Sequence, residues 1–216
     1  MIEALTRLGP EKVNANPKLK EALEKALGAA KGTPQFVELV RDFNIKDRDA
    51  ELLEIAVKNP NNSTGVEATR LILANRNFQL LTTSLAGTNA IKVAEALGNT
   101  GENGIVPLLE PLVADMKRDV ALRKQAVRSV AQAQEGAAAL LKLAKEQKLP
   151  DDVMLIASSE LNNVRWANLK AEAAQLLPLP QARNAQPLPP ISDLVKMKGD
   201  AAKGAVIYRR DTVGCI

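Results

Sequence analysis

Pro107-Leu-Leu-Glu-Pro-Leu-Val113 and Ala139-Leu-Leu-Lys-Leu-Ala144 are two versions of one pattern, and this pattern decides the fold. Their Leu-Leu pairs stand 32 residues apart. A second apolar segment follows each of them, and in these segments Ala126 and Ala157 occupy corresponding places 31 residues apart. A unit of this length with two helical segments predicts paired helices, because neither helix of a pair can bury its apolar face alone.

The composition also favours helices. Of the 216 residues, 46% are hydrophobic but only 2% are aromatic, so the core must be built from Ala, Leu, Val and Ile. Ala and Leu are strong helix formers, whereas sheets use more aromatic and β-branched residues. Turn signals such as Asn16-Pro17 and Asn59-Pro60 divide the chain into short segments. We expect two helices that begin at caps Thr33 and Asp47, and others at 18–30, 64–75, 77–86, 89–98, 103–117, 119–133, 135–148, 151–162 and 164–177.

The paired segments resemble HEAT-type helical repeats. A small residue before an apolar stripe carries this resemblance, as in Ala68-Thr-Arg-Leu-Ile-Leu73, Ala126-Val-Arg-Ser-Val-Ala131 and Ala173-Ala-Gln-Leu-Leu177. The resemblance implies an all-α fold, with a HEAT-like α-solenoid of short antiparallel helix pairs over about 17–177 in a helical-repeat domain of residues 1–177. The unit is shorter than the roughly 40 residues of most HEAT repeats, and an irregular helical bundle is the alternative.

The composition changes after Leu177. Five prolines fall between Pro178 and Pro190. Proline lacks a backbone N–H and biases the residue before it away from the helical region. We therefore predict a semi-rigid, proline-rich linker over 178–192. A peptide-recognition role for this proline run is a weaker alternative than a spacer between domains.

A short C-terminal helix follows the linker. Asp200 is expected to cap a helix from Ala201 to Tyr208, because a carboxylate is favourable at a helix N-terminus. A shorter helical turn is expected in Ser192-Asp-Leu-Val-Lys-Met197. Gly214 then leads into Cys215, the only cysteine in the sequence.

This C-terminal segment resembles the start of a c-type cytochrome domain. The matching residues are Gly199-Asp-Ala-Ala-Lys-Gly204, Ile207-Tyr208 and Gly214-Cys215. The similarity is to large secreted planctomycete and verrucomicrobial proteins, in which helical repeats lead through a proline-rich linker, here Leu188-Pro-Pro-Ile191, into the cytochrome. Such proteins often carry a sugar-dehydrogenase-like β-propeller upstream. The resemblance implies that 193–216 is the truncated start of a cytochrome c domain and that the chain is a fragment.

For the parent protein, the resemblance implies haem c, electron transfer or oxidoreductase activity, and a periplasmic or secreted location. Cys215 would form a haem thioether, and Tyr208 would pack in the haem pocket. The alternative for Cys215 is a free thiol without a role. The family's second Cys and its axial His are missing here, and the sequence contains no histidine at all. No cofactor is therefore expected in this fragment.

The sequence contains no constellation of catalytic or metal-ligating residues. The absence of histidine removes the commonest general base and the commonest metal ligand, and one cysteine cannot build a zinc site. No apolar run approaches the roughly 20 residues that span a bilayer, and the N-terminus lacks the form of a signal peptide. We expect no enzyme, no metal site and no membrane span in this fragment.

Two charged features remain. Trp166 beside Arg165 is expected to be a core or capping contact, with a ligand groove as the alternative. The net charge is +4 with both signs interspersed, which does not suggest nucleic-acid binding. The clearest basic cluster is expected to be a solvated helix face, with phosphate or acidic-partner binding as the alternative; it contains Lys117, Arg118, Arg123, Lys124 and Arg128.

Three functions are compatible with these observations. The first is a non-catalytic helical-repeat scaffold or spacer, whose partners are other domains of the same haem-containing polypeptide. The second is a stand-alone α-solenoid adaptor that binds a protein partner. The third, an enzyme in its own right, is the weakest, because neither a histidine nor a carboxylate pair in an apolar context is present.

Overall fold

The computed structural model describes residues 1–179 and 190–209, and in these ranges the chain is all-helical without a strand. The chain divides into two compact units after Leu179. The first unit holds twelve α-helices and one short 3-10 helix, Asn103–Ile105. The α-helices are α1 (Ile2–Ala15), α2 (Pro17–Ala30), α3 (Pro34–Asp42), α4 (Asp49–Lys58), α5 (Ser63–Ala74), α6 (Phe78–Leu85), α7 (Ala90–Gly98), α8 (Val106–Ala114), α9 (Val120–Ala131), α10 (Gln134–Lys145), α11 (Asp151–Asn162) and α12 (Ala167–Leu176).

The first helix was not predicted from the sequence. Gly9-Pro10 has the appearance of a helix breaker, and Gly9 does interrupt α1 with a φ of 78°. This left-handed conformation is costly for any residue with a Cβ but not for glycine. Leu5 and Val13, on either side of this kink, are both buried, so packing against the core holds the two halves of α1 in place.

Polar side chains at the turns begin several helices. Asn16 accepts a hydrogen bond from the Lys18 amide at the start of α2, and Asn62 accepts one from the Gly65 amide at the start of α5. Such contacts satisfy amide groups that have no partner within the helix. Asp119 does the same for α9 by accepting from the Ala121 amide.

Two predicted caps behave differently in the structure. Thr33 stands at the N-cap position of α3, but its hydroxyl donates to the Ala30 carbonyl at 2.6 Å and caps no amide of α3. The prediction that Asp47 opens α4 is wrong, because the helix begins at Asp49. Asp49 is buried, and its carboxylate accepts hydrogen bonds from Asn75 at 2.7 Å and Asn77 at 2.9 Å.

Helices that alternate along the chain contact one another. One series runs through α3, α5, α7, α9 and α11, and another runs through α6, α8, α10 and α12. Of the small residues in the recurring pattern, Ala68, Ala126 and Ala157 lie in the first series and Ala173 lies in the second, and all four are fully buried. Leu109 and Leu140, from the two Leu-Leu pairs, are also fully buried. The recurring pattern therefore marks the residues that pack between helices.

The backbones of α7 and α9 approach each other closely. A Cβ atom on Gly98 would lie only 2.5 Å from the Ser129 Cβ atom. The Ser129 hydroxyl donates to the Ala94 carbonyl of α7 at 2.7 Å. A glycine on one helix and a bonded serine on the other thus bring two helices together where larger side chains would separate them.

The second unit contains two short helices in its described part, α13 (Ile191–Leu194) and α14 (Ala201–Tyr208). Asp200 caps α14, as predicted, by accepting hydrogen bonds from the amides of Ala202 and Lys203. Helix α14 has no buried residue. The predicted linker lies mostly outside the described residues.

Candidate binding cleft

Of the two residues predicted to contact haem, only Tyr208 lies within the described structure. Tyr208 is the last residue of α14, and 55% of its surface is exposed. Cys215 lies outside the described residues. Among the residues that are described, no three His, Cys, Asp or Glu side chains form a group that could hold a metal ion.

The basic cluster does not form a single solvated face, which corrects the expectation for Arg123. The Arg123 side chain is 3% exposed, and its guanidinium binds the carboxylate of Asp152 on α11 through both oxygens, with Nη1 3.0 Å from Oδ1. Nη1 also lies 3.0 Å from the sulfur of Met116, while Nε has no acceptor. Arg118 pairs with Asp115, and Arg128 is exposed. Arg123 therefore joins α9 to α11 and is not available to a ligand.

A cleft of about 640 Å³ lies in the first unit, where α7, α9 and α11 end and α12 begins. Its lining is mainly polar. Helix C-termini carry a partial negative charge from carbonyl groups that lack intrahelical partners. The lining residues are Arg70, Gly98, Asn99, Thr100, Gly101, Ala131, Gln132, Glu160, Asn163, Val164, Arg165 and Trp166.

Trp166 and Arg165 form one wall of this cleft. The Arg165 guanidinium carbon lies 4.8 Å from the centre of the Trp166 ring, a cation–π contact. The ring is half-buried and also packs against the hydrophobic core. Trp166 is thus both a core contact at the start of α12 and part of a groove, so the two sequence-based interpretations are not exclusive.

Glu160 is the acidic side chain of the cleft. It is half-buried, and its carboxylate has neither a hydrogen bond nor an ion pair within the described part of the chain. Burial raises the pKa of Glu160 above its ordinary value, and the positive charge of Arg128 opposes this shift. A carboxylate that is desolvated without a bonded partner is a candidate for a binding role.

Several other polar groups of the cleft are already bonded. Arg70 donates to the Thr100 carbonyl at 3.2 Å and lies 3.4 Å from the Glu102 carboxylate. Asn99 donates to the Pro60 carbonyl at 2.8 Å, and Asn163 donates to the Ser159 carbonyl at 2.9 Å. These bonds fix the walls of the cleft. Within the described residues, Glu160 has no such bond, and the guanidinium of Arg165 contacts only the Trp166 ring.

Sequence reasoning named Trp166 and Arg165 but missed Glu160 and Arg70. One signal was present, because Arg70 and Arg128 each follow the small alanine of the recurring pattern by two residues. This spacing places them at corresponding positions on α5 and α9. No comparable pattern marks Glu160.

The chain was compared with protein families, curated proteins and solved structures, and it matches none of them. In the described residues, no helix has the length and apolar character needed to cross a membrane.

Proposed function

We propose that residues 1–179 are a non-catalytic, HEAT-like α-solenoid of antiparallel helix pairs that serves as a scaffold or spacer. The observation that carries this proposal is the pair of helix series, each made of alternate helices in contact. A stack of helix pairs produces two such layers, because each helix meets its counterpart in the next pair. Contact between alternate helices is expected for stacked pairs and not for an irregular bundle. It extends from α3 to α11 in one series and from α6 to α12 in the other.

Ion pairs between helices support the same arrangement. Arg41 pairs with Glu67, Arg123 with Asp152, and Lys145 with Glu172. In each case a basic residue meets an acidic residue that lies about one repeat further along the chain. Such a recurrence is expected when neighbouring repeats share one interface.

The C-terminal end of the first unit is held by hydrogen bonds, as a spacer between domains requires. The Leu177 carbonyl accepts hydrogen bonds from the Ser158 hydroxyl at 2.8 Å and from the Asn162 amide at 2.9 Å. Leu177 and Ser158 are both buried. The point at which the chain leaves the repeats is therefore held to α11, so a domain attached beyond it would start from a fixed position.

We further propose that the second unit begins the cytochrome c domain of a periplasmic or secreted parent protein with electron-transfer or oxidoreductase activity. The helix capped by Asp200, which the resemblance to the cytochrome family predicts, supports this proposal. The residues present do not themselves fit a haem, because the sequence has one cysteine and no histidine. Haem binding thus belongs to the parent protein and not to these 216 residues.

The experiment that tests this proposal extends the reading frame. The longer chain is expressed with a cytochrome maturation system, and covalent haem is measured by its absorption after denaturation. We expect covalent haem that is reduced or lost in the Cys215→Ala variant of the extended chain. A reading frame without a Cys-His pair three and four positions after Cys215, or an extended chain without covalent haem, would contradict it.

A second function, an adaptor that binds a protein partner, is favoured by the Glu160 and Trp166 cleft. Trp166 is the only tryptophan in the sequence, so its fluorescence reports on this cleft alone. Titration with short extended peptides of basic, acidic and neutral composition tests the adaptor function. Saturable binding of any one class supports it, and a failure of all three classes contradicts it.

A further inference from the structure

Glu160 breaks the ion-pair pattern of the first unit. Arg41 on α3 pairs with Glu67 on α5, and Arg70 on α5 pairs with Glu102 beyond α7. Arg128 on α9 and Glu160 on α11 stand in the same relationship along the chain, but they form no ion pair. Glu160 is therefore partly buried but lacks the arginine partner that Glu67 and Glu102 have.

The surroundings of Glu160 favour a positive charge from outside. The C-termini of α7 and α9 end at the cleft, and their carbonyl groups contribute partial negative charge. The half-buried Trp166 ring lines the same cleft, and its contact with Arg165 shows that it attracts a guanidinium group. A cation entering the cleft would meet the carboxylate, the ring and these helix ends together.

The arginine side chains near the cleft are not bound to the Glu160 carboxylate. Arg70 is bonded to the Thr100 carbonyl and paired with Glu102. Arg165 lies over the Trp166 ring, and the exposed Arg128 acts on Glu160 only at longer range. None of the three forms an ion pair with Glu160 in the described structure.

We propose that this cleft docks an extended segment of a partner protein that presents a Lys or Arg side chain to Glu160 beside Trp166. A volume of about 640 Å³ accommodates a few side chains but not a folded domain, which points to an extended segment or a loop. Tryptophan and arginine are enriched among the residues that contribute most to protein–protein binding, and Trp166 and Arg165 form the wall of the cleft. This proposal rests on the adaptor function and is independent of the cytochrome assignment.

The test uses the fluorescence of Trp166 with three soluble probes. These are Gly/Ser peptides of equal length that carry Lys and Arg, Glu, or Gln at the same positions. We expect saturable binding of the basic peptide, weaker binding of the Gln peptide and none of the Glu peptide. Glu160→Gln should weaken the binding of the basic peptide by about tenfold or more, because a charge-assisted hydrogen bond is lost.

The matched control is Glu135→Gln. Glu135 is exposed in the first turn of α10 and does not line the cleft, so this variant removes the same charge and should bind the basic peptide like the wild type. Three results would overturn the inference but not the adaptor function. They are tighter binding of the Glu peptide than of the basic peptide, binding of the Gln peptide as tight as that of the basic peptide, and an equal loss of affinity for the basic peptide in the two variants. If none of the three peptides binds, both the inference and the adaptor function are overturned, but the scaffold function is not.

Discussion

The guanidinium of Arg123 on α9 is bound through both carboxylate oxygens of Asp152 on α11. The Arg123 side chain is 3% exposed, whereas that of Asp152 is 38% exposed. A buried arginine thus depends for its charge balance on a partner at the surface. The pair joins α9 to α11, so its loss affects the interface between these two helices.

Asp152→Ala is expected to destabilise the protein strongly. The variant leaves a buried guanidinium without a counter-charge, which costs about 3 kcal/mol of the free energy of unfolding. Urea denaturation monitored by circular dichroism measures this loss. Asp151→Ala is the control, since Asp151 is an exposed neighbour in the same helical turn without this contact. Equal, small losses in the two variants would show that Arg123 does not need Asp152.

Gly98→Ala is expected to force α7 and α9 apart. The new Cβ atom would lie 2.6 Å from the Ser129 Cα atom, and overpacking of this kind costs about 1–3 kcal/mol. The control is Gly28→Ala in α2, where an added Cβ meets nothing within 4 Å. Because alanine is the better helix former, this control should gain roughly 0.5–1 kcal/mol. Thermal unfolding compares the two, and a stabilised Gly98→Ala variant would contradict the close approach.

Asp49→Ala is expected to cost about 1–3 kcal/mol, because the Asn75 and Asn77 amides lose their buried acceptor. Asp47→Ala should stay within about 0.5 kcal/mol of the wild type, since the Asp47 side chain is 74% exposed. Denaturant midpoints of the two variants measure the difference. A larger loss of stability in Asp47→Ala than in Asp49→Ala would indicate that Asp47 caps α4.

The stability contribution of Glu160 is expected to depend on pH. Burial raises the pKa of Glu160 above 4.5 in the folded protein, so the folded state binds this proton more tightly than the unfolded state. The protonated Glu160 side chain therefore contributes to the free energy of unfolding fully below pH 4.5. This contribution is lost as the pH rises through the raised pKa of Glu160.

Glu160→Gln removes this titration and leaves every other carboxylate unchanged. The free energy of unfolding of the wild type should fall relative to that of the variant as the pH increases from 4.5 upward. Denaturant titrations of both proteins at several pH values measure this difference. A difference that is constant with pH, or one that grows in favour of the wild type, would mean that Glu160 is satisfied in the folded protein.

The all-helical character and most helix positions could be predicted from the sequence, because local signals define them. The segments 18–30 and 151–162 are predicted and observed nearly unchanged as α2 and α11. Helix α1 was missed since Gly9-Pro10 resembles a turn, and only the burial of Leu5 and Val13 shows that the chain continues as a helix on both sides. The solenoid arrangement and the cytochrome assignment stay predictions.

The candidate cleft could be predicted only in part. Trp166 and Arg165 are neighbours in the sequence, so their contact has a local signal. Glu160 and Arg70 come from different helices, and only the stacking of α5, α7, α9 and α11 brings them to one place. The burial of Arg123 has the same origin, since its partner belongs to another helix.

The two hydrogen bonds to the Leu177 carbonyl also have a mechanical consequence. Tension applied to the chain beyond Leu179 reaches Ser158 and Asn162 of α11 directly, through these bonds. Part of the load is therefore carried by α11 and not by the packing of α12 alone. Resistance to stretching at this end of the first unit depends on a serine hydroxyl and an asparagine side-chain amide as well as on the packing of α12.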